Sequence, residues 1–436
     1  MGMKSSSRLI PRNHYMRQAL LFRDTDLVKV VTGLRRCGKS SLLALVRQHI
    51  EKNPAPHTGT PSFISINLEN QTLNIRNAND LHDYISHHVS HSGRTYIFLD
   101  EIQKIEGWHD VINSIRVAFN CDIYVTGSNA FLLSSDISTY LSGRYVEIHV
   151  RPLAFSEYLD FLGLRRAGNG LSGDILLDSR DTPVLLQDIF AQFMRYGGMP
   201  AIARNDITQE IHRLYFDSLY ETVVIRDIVN RERHATKHLP AQPQMLRKLC
   251  AYLADNIGNQ TSLNKIANVL ASHGEKISQN TVRGYAQALC DAYIFYPVER
   301  YDIRGKKILA TLPKYYMSDV GFRSFMSGYR ESDSGRVLEN IVYGQLCFEG
   351  WSVHVGKNYG TEVDFIAVKD GKIRYVQVAD QLFDTTTMER ELKSLNSIRD
   401  NHEKMIVVRQ GAYPADIDGI RIVGVGEFFV GADAGK

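Results

Sequence analysis

The sequence predicts an α/β protein with a parallel sheet near its N-terminal end, a helical middle region and a second α/β region near its C-terminal end. Three observations predict this class. A buried-strand pattern at residues 27–32 leads through a glycine-rich loop into a helix pattern at 41–48. A second apolar run, 95–99, ends in two acids, and residues 336–379 have the pattern of a helix followed by three strands. Strands that alternate with helices are typical of parallel sheets.

Length and composition agree with this organisation. The 436 residues are enough for two or three domains, and 44% hydrophobic with 23% charged residues is ordinary for a globular protein. A net charge of +3 is only mildly basic and does not by itself indicate a nucleic-acid partner. No run is long and apolar enough for a membrane span, and the five cysteines have neither metal-ligand nor redox spacing. We therefore expect a cytoplasmic protein without a membrane partner.

The loop at residues 33–40 fits the pattern G-x-x-x-x-G-K-[ST] of a phosphate-binding loop. Its glycines let backbone N–H groups curl around phosphates, and the start of the following helix adds partial positive charge. We expect Lys39 to reach the β- and γ-phosphates and the Ser40 hydroxyl to bind Mg²⁺. The pattern therefore predicts a P-loop that binds ATP with Mg²⁺. The expected ATP contacts in this segment are Gly33, Arg36, Gly38, Lys39, Ser40 and Ser41.

A second motif supplies groups that hydrolysis requires. Asp100 and Glu101 follow the apolar run 95–99. At the carboxyl end of a central parallel strand, Asp100 is expected to hold Mg²⁺, and Glu101 to polarise the attacking water. The alternative is a buried strand followed by a solvated acidic turn. Because the phosphate loop lies upstream, we favour the catalytic interpretation, in which Lys39 also acts on the transferred phosphate.

The chain then continues with a strand pattern at 121–126, followed by small polar residues that include Ser128. Such side chains beside a nucleotide can sense the γ-phosphate by hydrogen bonding. A further strand pattern follows at 145–148. This alternation extends the predicted parallel sheet and adds Ser128 to the expected ATP contacts.

The motif series resembles the AAA-type ATPases of bacteria and archaea that are related to signal-transducing STAND NTPases. Those proteins carry G-x-R-R-x-G-K-[ST], L-D-E-[IV]-Q, T-G-S, L-x-G-R and R-P-L-x-[FP]-x-E in this order, as this chain does between residues 33 and 157. The resemblance implies that Thr126 and Ser128 or Asn129 are sensors. It also implies that Arg144 is an arginine finger for a neighbouring site or its own, so that a homo-oligomer is one option. The alternative is a surface arginine that caps a strand.

The resemblance implies an ATPase core at residues 1–160 and a helical lid at 161–240. Residues 174–239 are expected to be largely helical. Gly197 and Gly198, followed by Met-Pro, cannot continue a helix and predict a sharp break there. The same G-G-[MFY]-P motif follows the ATPase core in the family, where a lid would turn the nucleotide state into movement.

A winged helix is predicted at residues 241–325. Residues 261–270 and 279–289 have the spacing of two helices, and a basic turn at 300–307 would form the wing of a hairpin. Polar residues at the start of the second helix would face the major groove of double-stranded DNA, and the wing would contact phosphates. The alternatives are a protein partner or internal packing.

Residues 326–436 resemble the PD-(D/E)XK restriction-endonuclease-like fold that ends the same ATPases. In active members a helix glutamate, a strand aspartate and an E-x-K or Q-x-K on the next strand gather Mg²⁺ and activate water. Glu339, Asp364 and Gln377 match these positions, but Ala379 stands at the lysine position. The resemblance therefore implies a nuclease-like domain without cleavage activity, kept for contact with DNA or protein; a weak metal site is a further option.

Together these features predict a P-loop ATPase whose nucleotide state controls a DNA- or protein-binding C-terminal region. Two alternatives stay open. One is a regulatory switch that exchanges ATP slowly and acts on protein partners. The other is a metal-dependent nuclease gated by ATP, whose cleavage would depend on Asp364.

Overall fold

The computed structural model describes residues 9–55, 60–90, 92–127, 141, 143–167, 174–204, 206–223, 228, 243–272, 277–358, 360–382 and 385–431. The chain divides into two compact units. The first consists of Met1–Arg151 with Asp291–Tyr293, and the second of Pro152–Cys290 with Ile294–Lys436. A short segment from late in the chain is therefore counted with the N-terminal unit.

The first unit is built on a parallel sheet. In its described residues the sheet has five strands in the order β2-β3-β4-β1-β5. These strands are β1 (Val28–Thr32), β2 (Ser62–Asn67), β3 (Thr95–Asp100), β4 (Cys121–Thr126) and β5 (Tyr145–His149). The three central strands β1, β3 and β4 are buried along their whole length. Their mostly apolar sequences follow from this position, because a parallel sheet is covered on both faces, and the buried Lys29 of β1 is paired with Asp122 of β4. The predicted parallel sheet is confirmed.

Helices alternate with these strands. In the described part of the unit they are α1 (Asn13–Leu21), α2 (Lys39–Lys52), α3 (Ala78–His88) and α4 (Trp108–Ala118). α3 begins with a capping box, in which the side chains of Asn77 and Asp80 accept hydrogen bonds from each other's backbone N–H. Leu81 of α3 and Ile115 of α4 share one hydrophobic core with Ile97 of β3. This core fixes the strand ends that carry the predicted site.

The second unit begins with a region that the sequence predicts as largely helical from residue 174, and this prediction is wrong in part. The region contains α5 (Phe155–Leu162), β6 (Arg165–Arg166), β7 (Ile175–Leu177), β8 (Pro183–Leu185), α6 (Leu186–Tyr196) and α7 (Gln209–Tyr220). The three strands form a small antiparallel sheet. The turn between β7 and β8 explains the difference. Asp178 accepts hydrogen bonds from the backbone N–H of Arg180 and Thr182, both at 2.8 Å, and Asp181 has a φ of 60°. This local geometry favours a hairpin over a helix.

The predicted break at the Gly-Gly pair is confirmed, since α6 ends at Tyr196. Both glycines are required by close contacts. A Cβ on Gly197 would lie 2.0 Å from the Asp319 carboxylate, and one on Gly198 would lie 2.5 Å from the Leu153 carbonyl oxygen. Side chains therefore cannot be added here without moving backbone or a buried carboxylate.

Helices and a hairpin follow. They are α8 (Pro243–Asp255), α9 (Leu263–Ser272), α10 (Gln279–Asp291), β9 (Phe295–Asp302), β10 (Lys307–Met317) and α11 (Val320–Ser327). The Ser262 hydroxyl accepts a hydrogen bond from Lys265 N–H, and that of Ser278 from Thr281 N–H. These caps explain where α9 and α10 begin. The hairpin does not stand apart, because β9 pairs in parallel with a strand that follows it in the chain.

That pairing extends the second sheet, which has eight strands in its described residues, in the order β10-β9-β11-β12-β13-β14-β16-β15. The remaining elements are α12 (Ser334–Phe348), β11 (Ser352–Asn358), β12 (Thr361–Lys369), β13 (Lys372–Leu382), α13 (Thr385–Asn396), β14 (Glu403–Gly411), β15 (Asp416–Ile417), β16 (Ile420–Gly424) and α14 (Val425–Val430). Phe365 of β12 packs in one core with Leu338 of α12, and Ile366 packs in another with Leu395 of α13. Consecutive residues of β12 thus serve opposite faces of the sheet.

Candidate active site

The phosphate loop joins β1 to α2. Gly33 has a φ of 134° and Gly38 a φ of 105°, values that favour glycine. A Cβ on Gly33 would lie 2.0 Å from the Val150 carbonyl oxygen, so this position also requires glycine for space. Gly38 precedes the first residue of α2, and the loop therefore ends at the N-terminus of a 14-residue helix. Such an end offers backbone N–H groups and partial positive charge to an anion.

Lys39 is the first residue of α2 and is buried, with 4% of its surface exposed. Its ammonium donates hydrogen bonds to the carbonyl oxygens of Gly33 at 2.9 Å and Leu34 at 3.0 Å. The charge is thereby held within the loop that the sequence predicts to surround phosphates. Arg36, with a φ of 64°, is exposed, as are Ser40 and Ser41 in the first turn of the helix.

Asp100 connects the loop to the ends of three strands. Its Oδ1 accepts hydrogen bonds from the Ser40 hydroxyl at 3.0 Å and the Thr126 hydroxyl at 2.5 Å. Its Oδ2 accepts one from Asn67 Nδ2 at 2.9 Å. These partners come from α2 and from the carboxyl ends of β4 and β2, so the two predicted motifs meet at one edge of the sheet.

Glu101 follows directly in an unusual backbone conformation. Its φ of 58° lies in the left-handed region, which a non-glycine residue adopts at a cost of about 1–3 kcal/mol. Its backbone N–H donates to the Thr126 hydroxyl at 3.0 Å, and its carboxylate accepts a hydrogen bond from Gln103. Thr126 therefore contacts both acids: its hydroxyl donates to the side chain of Asp100 and accepts from the backbone N–H of Glu101.

Arg12 is a loop-stabilising residue that the sequence analysis missed. Its guanidinium donates to the carbonyl oxygens of Cys37 and Arg151, both at 2.9 Å, and it lies 4.5 Å from the Tyr15 ring centroid. The Cys37 thiol donates to the Val150 carbonyl oxygen at 3.2 Å. These contacts fix the loop to the chain that follows β5. No local pattern could have identified Arg12, because its partners are distant in sequence. Asn67, the amide partner of Asp100, was missed for the same reason.

A polar cluster lies at the end of β1, just before the loop. The Thr32 hydroxyl donates to Glu147 Oε1 at 2.5 Å and is 3.0 Å from His149 Nδ1. Burial, with smaller contributions from the charges of Arg151 and Lys39, lowers the pKa of His149 to about 3. His149 is therefore neutral at physiological pH and adds no positive charge beside the loop.

Arg144 lies at the amino ends of the parallel strands, opposite the carboxyl ends where the phosphate loop and the two acids lie. The next residue, Tyr145, pairs with Val28 at the start of β1, whereas the loop follows Thr32 at its end. Arg144 is thus level with Leu27, six residues before Gly33, and six residues of a parallel strand span about 20 Å. Its side chain is exposed. This separation contradicts the hypothesis that Arg144 serves the site of its own chain; service to a neighbouring subunit stays a prediction. Ser128 and Asn129 lie outside the described residues.

The residues of the nuclease-like prediction come together in the second unit. Gln377 Oε1 accepts a hydrogen bond from Asp364 N–H at 3.2 Å, and Asp364 Oδ2 accepts one from Val378 N–H at 2.9 Å. Glu339 on α12 forms an ion pair with Lys314 of β10, a residue outside the nuclease motif. The Lys314 ammonium lies 3.0 Å from Glu339 Oε1 and 2.8 Å from Glu362 Oε1.

The charges of this cluster affect one another. Burial lowers the pKa of Lys314, but the carboxylates of Glu339, Asp364 and Glu362 raise it by more, and the result lies above the ordinary value. Lys314 therefore stays charged. Among the described residues, no group of three or more histidine, cysteine, aspartate or glutamate side chains is arranged to hold a metal ion. In the same part of the chain, no helix is long and apolar enough to cross a membrane.

Comparisons with known proteins place this geometry in context. Residues 25–159 match the family model of an AAA domain, and residues 187–333 match a domain of unknown function (DUF8612). Among solved structures, the Walker-type ATPase of Pyrococcus abyssi superimposes with a TM-score of 0.43 at 15% identity, over 73% of this chain and 95% of that one.

Two relatives are similar over most of their length. An uncharacterised protein of Methanocaldococcus jannaschii is 29% identical over 84% of this chain and 77% of its own. An uncharacterised protein of Haemophilus influenzae is 34% identical over 96% of this chain and 98% of its own. This chain therefore belongs to the family of the Haemophilus influenzae protein.

Proposed function

We propose that this chain is an ATPase that binds ATP with Mg²⁺ at the phosphate loop and hydrolyses the bond to the γ-phosphate. The observation that carries the proposal is the meeting of two motifs at one sheet edge: the Ser40 hydroxyl of the loop lies 3.0 Å from the Asp100 carboxylate of β3. Lys39 and Glu101 are the neighbours of these two residues in sequence. The match to an AAA domain supports the same reaction class.

Phosphate binding would use the loop and Lys39. The backbone N–H groups at the start of α2 attract anions, and the Lys39 ammonium would exchange the carbonyl oxygens of Gly33 and Leu34 for phosphate oxygens. Phosphate oxygens carry negative charge that attracts the ammonium by Coulomb interaction, whereas backbone carbonyl oxygens carry no net charge. The exchange therefore favours the triphosphate, with Gly38 and Arg36 shaping the loop around it.

The residues present fit Mg²⁺, because Ser40 and Asp100 supply the hydroxyl and carboxylate oxygens that this ion prefers. When bound, Mg²⁺ neutralises charge on the β- and γ-phosphate oxygens. Asn67 and Thr126 would keep the Asp100 carboxylate oriented toward Ser40, since they bind its two oxygens. Oriented ligands of this kind preserve affinity for the metal.

Glu101 would act as the general base. Its carboxylate would accept a proton as water attacks the γ-phosphorus, and the hydrogen bond from Gln103 would limit its motion. The left-handed backbone at Glu101 supports this role, because strained conformations persist where surrounding contacts demand them. The hydrogen bond from Glu101 N–H to the Thr126 hydroxyl is one contact that holds this backbone conformation.

The proposal includes a partner-binding C-terminal region. α10 exposes Asn280, Arg283 and Gln287, and the turn between β9 and β10 exposes Arg304 and Lys306. These residues have the chemistry of a recognition helix and a phosphate-binding wing, so double-stranded DNA is the partner that we favour. A protein partner is the second option, because β9 of the hairpin pairs with β11 and the hairpin is therefore also part of the second sheet.

ATP turnover by the full chain, measured with and without double-stranded DNA, tests both parts. We expect Lys39→Ala to lose ATP binding and turnover, and Glu101→Gln to bind ATP but lose turnover by at least about a hundredfold. Unchanged turnover in Glu101→Gln would refute its role as base. Tight ATP binding without turnover in the wild type would favour the slow regulatory switch.

The DNA arm of the same measurement has its own control. Charge reversal at Arg304, Lys306 and Lys307 should remove stimulation by DNA and leave basal turnover intact, because phosphate contacts depend on positive charge. Turnover that ignores DNA in the wild type would direct the search to protein partners.

A further inference from the structure

The carboxylate cluster between α12 and β12 contains a cation supplied by the chain itself. Lys314 of β10 is 4% exposed, and its ammonium lies 3.0 Å from Glu339 and 2.8 Å from Glu362. Tyr316, two residues along the same strand, donates its hydroxyl to Glu339 Oε1 at 2.6 Å. Residues two apart on a strand share a face, so β10 presents both groups to the cluster.

Donors within the protein occupy one oxygen of the Glu339 carboxylate. Each carboxylate oxygen has two lone pairs. Glu339 Oε1 accepts from both Lys314 and Tyr316, and its Oε2 lies beside Gly258, where an added Cβ would be 3.0 Å away. Glu362 is engaged through both oxygens, since its Oε1 lies 2.8 Å from the Lys314 ammonium and its Oε2 accepts from Gln260 at 2.8 Å. Glu339 Oε1 and both oxygens of Glu362 are therefore bound to donors within the protein.

A divalent cation and the Lys314 ammonium would compete for the same oxygen. Mg²⁺ requires oxygen ligands at about 2.0–2.1 Å in near-octahedral geometry. An ion at that distance from Glu339 Oε1 would lie within a few ångströms of the buried ammonium, where like charges repel strongly. The residues present therefore do not fit the Mg²⁺ that the nuclease-like resemblance implies.

We propose that Lys314 is the resident cation of this site, in place of a divalent metal. The cluster joins the hairpin strand β10 to α12 and β12 through ion pairs from one ammonium to two carboxylates. The C-terminal region then works by binding and not by metal-dependent cleavage of phosphodiester bonds. Lys314 lies 65 positions before Ala379, the residue at the expected lysine position, so a motif search in the nuclease-like segment does not find it.

Mn²⁺ binding to the nucleotide-free full chain, followed by electron paramagnetic resonance, tests the proposal. The wild type and Glu339→Gln should bind the same amount of Mn²⁺, because Glu339 is not a metal ligand. Lys314→Met should gain a Mn²⁺ site at least about tenfold tighter than any in the wild type, since it frees carboxylates without changing side-chain length greatly. The double variant Lys314→Met with Glu339→Gln should lose that site again.

Either of two Mn²⁺-binding results would overturn the proposal: Mn²⁺ uptake by the wild type that Glu339→Gln removes, or a folded Lys314→Met that gains no site. Far-UV circular dichroism and cooperative thermal unfolding of each variant serve as the folding control, because the phosphate loop belongs to the other unit and ATP turnover does not report on the fold around Lys314. If Lys314→Met does not fold, comparison of the wild type with Glu339→Gln and Asp364→Asn still decides the question. DNA nicking by the wild type with Mn²⁺ that Asp364→Ala abolishes would also count against it.

Discussion

Thr126 is the residue on which both acids of the site depend. Its hydroxyl donates to Asp100 Oδ1 at 2.5 Å and accepts from Glu101 N–H at 3.0 Å. One small side chain at the end of β4 therefore orients a proposed Mg²⁺ ligand and fixes the backbone of the proposed base. It is fully buried, so these two contacts are not weakened by water.

We predict that Thr126→Val lowers ATP turnover by about 10- to 100-fold, because a small displacement of a catalytic group has an effect of this size. ATP affinity should change by less than about threefold, since the loop and Lys39 are untouched. Thr126→Ser keeps the hydroxyl and is the matched control, expected to remain close to the wild type. Steady-state kinetics of both variants check the prediction, and equal losses of turnover in Val and Ser would contradict it.

At the level of residues, short local sequence patterns predicted the positions of the residues in the phosphate loop and at the end of β3. The positions of Lys39, Ser40, Asp100 and Glu101 follow from short motifs, because a strand, a turn and a helix dictate them within a few residues. Partners such as Arg12 and Lys314 could not be predicted in this way. Their contacts join segments that are 25 or more residues apart and depend on the completed fold.

At the level of elements, Asp319 joins the end of α6 to the start of α11. Its carboxylate accepts hydrogen bonds from Gly198 N–H at 2.7 Å and Gly321 N–H at 2.8 Å, and it is 3% exposed. Burial raises the pKa of Asp319 to about 6, although the backbone donors of Gly198, Gly321 and Phe322 oppose the rise. The junction of the two helices is therefore sensitive to pH.

The sign of the effect follows from the pKa of Asp319, which is about 6 in the fold against an ordinary 3.8. Stability from this group is complete below about pH 4 and is lost as the pH rises through 6. Relative to Asp319→Asn, the wild type should lose on the order of 3 kcal/mol of unfolding free energy between about pH 4 and 7. Urea unfolding at both pH values measures this. Asp370→Asn, an exposed turn position, is the control, and a pH-independent difference for Asp319→Asn would refute the assignment.

Helices with strong local sequence signals were predicted, whereas the pairing of strands in the second sheet was not. The predicted helices at 261–270 and 279–289 correspond to Leu263–Ser272 and Gln279–Asp291. Caps and apolar spacing are sufficient for such predictions. The parallel pairing of β9 with β11 was not foreseen, because strand pairing is decided by contacts between distant segments.

At the scale of the whole molecule, the paired strands of the first sheet all run in the same direction. The proposed ATP site and the proposed arginine finger therefore lie at opposite ends of these strands. The phosphate loop, Asp100 and Glu101 lie at the carboxyl ends of the strands, whereas Arg144 precedes β5 at the opposite edge. An arginine finger at that edge can serve ATP only in another copy of the chain. Activity would then require an assembly in which one copy's Arg144 meets the next copy's phosphate loop, a head-to-tail arrangement.

A mixing experiment tests this requirement. Arg144→Ala should bind ATP normally but hydrolyse it at least about a thousandfold more slowly, as expected for loss of an arginine finger. Lys39→Ala should be inactive because its own site is lost. Mixed together, the two should recover turnover, since the Lys39→Ala chain supplies Arg144 to the intact site of its neighbour. The double variant mixed with Arg144→Ala supplies no arginine and should recover nothing. Full turnover by Arg144→Ala alone, or no recovery on mixing two variants that associate, would exclude a finger supplied between copies and leave Arg144 as a surface residue at the start of β5.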